Sequence, residues 1–104
     1  MITLQDHNFQ ESVQQDVWVI DFWSPTCQPC KVVTPILEEL SREFSPTIHF
    51  GSVNAKQEIR TALSNHISGY PTVVIYRNGE PIDVIYGAQP ARVYKERVAS
   101  LLAI

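Results

Sequence analysis

Cys27 and Cys30 are the only thiols in a chain of 104 residues, and two residues separate them in Cys27-Gln28-Pro29-Cys30. A disulfide across so short a span closes a tiny loop and constrains little of the unfolded chain, so stapling is a weak reason for the pair. Reactivity is the better one. The motif lies where an apolar run ends and a helical pattern begins. The first turn of a helix offers unpaired N–H groups and the positive end of the macrodipole, and both stabilise a thiolate. A second sulfur at this spacing can release the first from a mixed disulfide with a substrate. Cys27, nearer the helix start, is the better nucleophile, and Cys30, read as one turn inside, is the resolving thiol.

The spacing also occurs in metal and haem sites. Structural zinc needs about four ligands, and His7, His49 and His66 show no paired spacing to complete a set. A c-type haem needs His after the second cysteine, where this chain has Lys31. An iron–sulfur cluster needs more thiolates than two. Dithiol redox chemistry leads, with zinc and an inert structural pair as its rivals; each histidine reads as a surface or packing residue.

Asp21 lies on the same strand face as Val17, Val19 and Trp23. A carboxylate on such a face loses solvation, which raises its pKa and suits it to move a proton on or off a nearby thiol. The competing reading is a carboxyl satisfied by local hydrogen bonds with no part in chemistry. Trp18 and Trp23 read as core and turn packing, and Trp23 is also placed to shield the cysteines.

The elements that position these residues follow from periodicity. Residues 2–4 read as an edge strand, and Asp6 as the N-cap of a helix through about Gln15, with Phe9 and Val13 inward. Residues 17–23 are dense in β-branched and aromatic side chains, as in a central strand covered on both faces. Val33, Ile36, Leu37, Leu40 and Phe44 recur at helical spacing, so a long helix follows the cysteines, with a kink expected at Pro35. Residues 48–53 read as a strand, and Asn54 with Gln57 as a capped start of a helix carrying Ile59, Leu63 and Ile67. Residues 72–76 and 82–86 form a hairpin about Asn78-Gly79. Pro90 opens a last helix with Tyr94, Val98, Leu101 and Leu102 on one face and Lys95-Glu96-Arg97 in solvent. The pattern predicts an α/β fold, a mixed sheet of about five strands with helices on both sides, in one domain spanning residues 1–104.

Charge and hydropathy narrow the function. Lys and Arg number 8 against 11 Asp and Glu, a net charge of −3. A phosphate backbone is repelled, so nucleic acid is not an expected partner. No run approaches the roughly 18 apolar residues of a membrane helix, and the first residues show no secretory pattern, so neither membrane nor export is expected. At Tyr70-Pro71 the ordinary preference of X-Pro bonds is trans.

Val19-Ile20-Asp21-Phe22-Trp23, Cys27-Gln28-Pro29-Cys30-Lys31, Thr34-Pro35-Ile36-Leu37, Tyr70-Pro71-Thr72 and Asn78-Gly79-Glu80 together resemble the thioredoxins, in order and spacing, over the whole chain. The resemblance implies a thioredoxin fold, a central mixed five-stranded sheet flanked by four helices. It implies reduction of protein disulfides by a cytoplasmic monomer, with a thioredoxin reductase as electron donor and no cofactor beyond a redox-active Cys27–Cys30 disulfide. Cys27 matches the attacking thiol, Cys30 the resolving thiol, Asp21 the proton-transferring carboxylate and Pro71 a cis-proline facing the disulfide. Trp23, Thr26, Gln28, Pro29, Tyr70, Pro71, Gly87 and Ala88 border the groove for an extended substrate segment.

The sequence departs from the family's usual W-C-G-P-C. Pro25 and Thr26 precede the first cysteine and Gln28 replaces glycine, which makes the docking surface smaller and more polar. Ser52 stands where a lysine usually accompanies the aspartate, and loss of that charge raises the Asp21 pKa further. Two alternatives to a reductase are a partner-binding module with little general activity and a more oxidising oxidase or isomerase.

Overall fold

In the computed structural model, which describes residues 1–102, strand β2 (Val17–Trp23) runs through the middle of the molecule. Its alternate side chains enter two separate cores. Val19 packs with Val33, Leu37, Leu40, Val73 and Ile75 on one face, while Trp18, Ile20 and Phe22 pack with Phe9, Val13, Val53 and Val74 on the other. Burial on both faces explains the near-continuous apolar run.

Around β2 lie β1 (Ile2–Thr3), α1 (Phe9–Val13), α2 (Cys30–Phe44), β3 (His49–Asn54), α3 (Ile59–Ser64), β4 (Thr72–Arg77), β5 (Glu80–Tyr86) and α4 (Ala91–Ala99). The sheet order is β1-β3-β2-β4-β5, with β3 parallel to β1 and β2, and β4 antiparallel to β2 and β5. This is the expected five-stranded mixed sheet with four helices; the last two residues of the expected 1–104 domain lie outside the described residues. Both edges are irregular. β1 is two residues long, and β5 contains Pro81 beside a register shift at Ile75/Tyr76.

Long α2 buries Val33, Leu37 and Leu40 and stays continuous through Pro35. The hairpin turn matches its sequence: Asn78 and Gly79 have φ of 51° and 86°, the left-handed values a two-residue turn requires. Trp18 is buried as expected and stacks on His49, their ring centroids 4.9 Å apart.

The short helices differ from expectation. Helix α1 starts at Phe9 behind Asn8, and Asp6 serves another element. Its Oδ1 accepts the backbone N–H of Thr61 at 2.8 Å and the Thr61 hydroxyl at 2.7 Å, while the Asp6 N–H donates to Glu58 Oε1 at 2.8 Å. Asp6 thus caps the first turn of α3, where free N–H groups favour an anion. That anchor turns Thr61 and Ala62 inward and leaves Ile59 and Leu63 57% and 69% exposed, the reverse of their expected placement, while Ile67 lies past the end of α3 and packs partly buried against the core. Asn54 starts no helix; its Oδ1 accepts the Lys56 N–H at 3.1 Å in a turn. After α4 the chain tightens into a 3₁₀ turn at Ser100–Leu102, which rotates Leu102 off the buried face of Tyr94 and Val98. The Tyr70–Pro71 bond is cis, against the local preference and as the resemblance implied.

Candidate active site

The chain leaves β2 at Trp23 and enters α2 at Cys30 through a turn in which the Cys27 N–H donates to the Ser24 carbonyl at 3.1 Å. Cys30 is therefore the first residue of α2, one turn earlier than its expected place, and Cys27 lies just outside the helix. The two form a disulfide with Cα atoms 5.3 Å apart. The Cys30 N–H donates to Cys27 Sγ at 3.1 Å, so the first amide of the helix points at that sulfur. Such a donor favours negative charge there once the bond is reduced. The sulfurs are unequally placed: Cys27 is half-buried, while Cys30 is only 3% exposed.

Asp21 lies beneath this turn on the α2 side of β2, with no exposed surface. Its Oδ2 accepts the Thr34 hydroxyl at 2.6 Å, and its Oδ1 has no hydrogen-bond partner among the described residues. Ser52 is its direct neighbour on β3, and no ion pair to Asp21 occurs among the described residues. Burial raises its pKa from an ordinary 3.8 to about 6; the Thr34 bond opposes the rise and the charge of Glu38 adds to it. A hydrogen bond to a charged group contributes roughly 1.5–3 kcal/mol. Thr34→Val is therefore expected to move the Asp21 titration up by about 1 pH unit or more, at 1.36 kcal/mol per unit, with Thr34→Ser close to wild type. Carboxyl NMR chemical shifts followed against pH provide the check.

Thr34 also faces outward. It lines a groove of about 330 Å³ with Trp23, Ser24, Pro25, Cys27, Cys30, Lys31 and Pro35, so the residue that bonds Asp21 borders the same space as both cysteines. Of the predicted site residues, Trp23 and both cysteines share this groove. Thr26, Gln28 and Pro29 are exposed on the turn above it.

Tyr70, Pro71, Gly87 and Ala88 lie outside that groove, yet the sheet register gathers three strand ends near it. Phe22, Thr72 and Tyr86 form one row across β2, β4 and β5. One residue beyond the row on each strand come Trp23, Pro71 and Gly87, and the Gly87 N–H donates to the Pro71 carbonyl at 2.9 Å. Lys56 Nζ sits 5.9 Å from the Tyr70 ring centroid, within cation–π range. The groove residues not expected from the sequence as site residues are Ser24, Pro25, Lys31, Thr34 and Pro35. Thr34 had a signal, since it stands one helical turn after Cys30 on the same face.

The thioredoxin family model matches residues 1–100. The chain belongs to the thioredoxin family. Among proteins similar to it are the thioredoxin of Staphylococcus haemolyticus, 32% identical, and that of Staphylococcus saprophyticus, 30% identical. A thioredoxin of Staphylococcus aureus is 29% identical. Each comparison covers 98% of this chain and 94% of the relative. Membership in the thioredoxins and the Cys27–Cys30 disulfide make the chain a thiol–disulfide oxidoreductase whose redox group is part of the protein. Among the described residues no set of three or more His, Cys, Asp and Glu gathers to hold a metal ion, and no helix is long and apolar enough to cross a membrane.

Proposed function

We propose that the chain reduces protein disulfides, with Cys27 attacking and Cys30 resolving. The Cys27 thiolate bonds to one substrate sulfur, the substrate S–S bond breaks, and one substrate thiol leaves. Cys30 then gives its proton to Asp21 and its sulfur bonds to Cys27; the mixed disulfide breaks and the second thiol leaves. Two electrons and two protons pass to the substrate, and the chain becomes the Cys27–Cys30 disulfide. A thioredoxin reductase restores the dithiol in this reading, and the setting is a reducing cytoplasm in which the chain acts as a monomer. Trp23, Thr26, Gln28, Pro29, Tyr70, Pro71, Gly87 and Ala88 form the substrate-facing rim, where an extended segment pairs with backbone.

The observation that carries the reading is the asymmetry of the sulfurs: the half-buried one receives the helix amide, and the buried one borders the groove of Thr34 and its bonded Asp21. Redox titration against glutathione, combined with turnover on insulin disulfides, tests it. A potential near the roughly −270 mV of thioredoxins is expected, together with insulin turnover. A value near the roughly −180 mV of the disulfide isomerases would make the chain an oxidant. A reducing potential with background turnover would leave a partner-binding module.

A further inference from the structure

Tyr94 fills a core position on α4, but its hydroxyl is not used by the core. The side chain has no exposed surface, and both functions of its hydroxyl go to one loop. The hydroxyl donates to the Gly87 carbonyl at 3.0 Å and accepts the Gln89 N–H at 3.1 Å. Phenylalanine or leucine would supply the packing without either bond. Burial, together with the charge of Asp21, holds the Tyr94 pKa above its ordinary value, so the proton needed for donation stays in place.

These two bonds bracket Ala88. In a trans peptide the C=O and the following N–H point in opposite directions. With the Gly87 carbonyl drawn inward to Tyr94, the Ala88 N–H is directed outward. With the Gln89 N–H drawn inward, the Ala88 carbonyl is directed outward as well. An exposed residue then presents a donor and an acceptor on the same side, as a strand residue does toward a pairing partner. The preceding residue is fastened too: Gly87 has φ of 69°, a left-handed value suited to glycine, and its N–H is held by the Pro71 carbonyl.

We propose that Tyr94 is a positioning residue for substrate binding, holding the Ala88 peptide groups in the orientation that pairs with an extended segment of a disulfide-containing protein. The proposal rests on the reading that Gly87 and Ala88 border the substrate groove. It separates protein substrates from small disulfides, because only an extended chain uses the loop.

The test compares the wild-type chain with Tyr94→Phe in turnover on insulin, with excess dithiothreitol regenerating the dithiol, and, pre-reduced and without dithiothreitol, in a single turnover on 5,5′-dithiobis(2-nitrobenzoate). Tyr94→Phe removes both bonds within the loop; a net hydrogen bond between Ala88 and the substrate contributes about 0.5–1.5 kcal/mol, so loss of one such bond weakens binding roughly 2–12-fold. The expected result is an insulin KM raised several-fold, with kcat and the rate on the small disulfide unchanged. Amide hydrogen exchange gives a second readout: in Tyr94→Phe the Gln89 N–H exchanges faster while the β4 amides keep their protection. Equal slowing on both probes, an unchanged insulin KM or unchanged Gln89 exchange would each overturn the proposal, even if Tm falls. A wild-type chain that fails to reduce insulin would instead overturn the reductase reading, and this inference with it.

Discussion

Cys30→Ser is expected to accumulate a covalent mixed disulfide with a protein substrate, whereas Cys27→Ser accumulates none, and turnover by both variants falls to background. The half-buried Cys27 sulfur retains its amide donor position and still attacks when Cys30 is serine. What disappears is release. A correctly placed neighbouring group acts at an effective concentration on the order of 10⁵ M or more, which no thiol in solution approaches. The adduct therefore persists long enough to be resolved by non-reducing electrophoresis and intact-mass measurement. In Cys27→Ser the remaining cysteine is only 3% exposed and lacks the half-buried position from which Cys27 meets a partner's disulfide. Equal trapping by the two variants would sink the division of roles.

Asp21→Asn is expected to make the protein more stable and less active, with both effects dependent on pH. The Asp21 carboxyl titrates near an ordinary 3.8 in the unfolded chain and at about 6 in the folded one. Between these values the folded state keeps a proton that the unfolded state has released, so stability falls as pH rises, by about 1.4 kcal/mol per pH unit. The loss begins near pH 4, is complete above about pH 6, and totals about 3 kcal/mol. Asparagine carries no charge at any of these values. Denaturant unfolding of the oxidised proteins should show the variant gaining on the wild type from pH 4 to pH 7, up to that amount. Parallel curves would mean that Asp21 does not carry the effect. For activity, a positioned acid–base group contributes about 10²–10⁴-fold. Resolution of the mixed disulfide at pH 7 should slow by about 10²-fold, and the inflection near pH 6 should vanish from the rate profile.

The elements legible in the sequence are those whose signals are local and strong. The apolar run of β2, with Asp21 as its one charged interruption, reads directly because each residue alternates into a core. Asn78-Gly79 reads as a turn because few other pairs tolerate two left-handed residues in succession. The cysteine pair reads as chemistry because its spacing is too short to stabilise a fold. What escaped depends on partners distant in the chain. The face of α3 follows from a carboxylate 55 residues earlier in sequence, so Ile59 and Leu63 turn outward despite their helical spacing. Thr34 gains its meaning only when Asp21 is known to lie opposite. Tyr94 reads as core, and its phenyl ring is core; the bonds of its hydroxyl appear only when the loop has closed over it. The cis bond before Pro71 runs against local preference and was legible through the family pattern alone.

The irregular edges of the sheet bear on the company this protein keeps. If the chain docks extended segments by backbone pairing, as proposed, it is at risk of docking its own copies, since an unpaired strand edge accepts any chain that presents one. Two residues of β1 are too few to nucleate such a stack, and Pro81 lacks the N–H that a stranger would need on β5. In the proposed reading, both irregular edges disfavour pairing between copies and leave the open end beside the cysteines as the place where an extended chain docks.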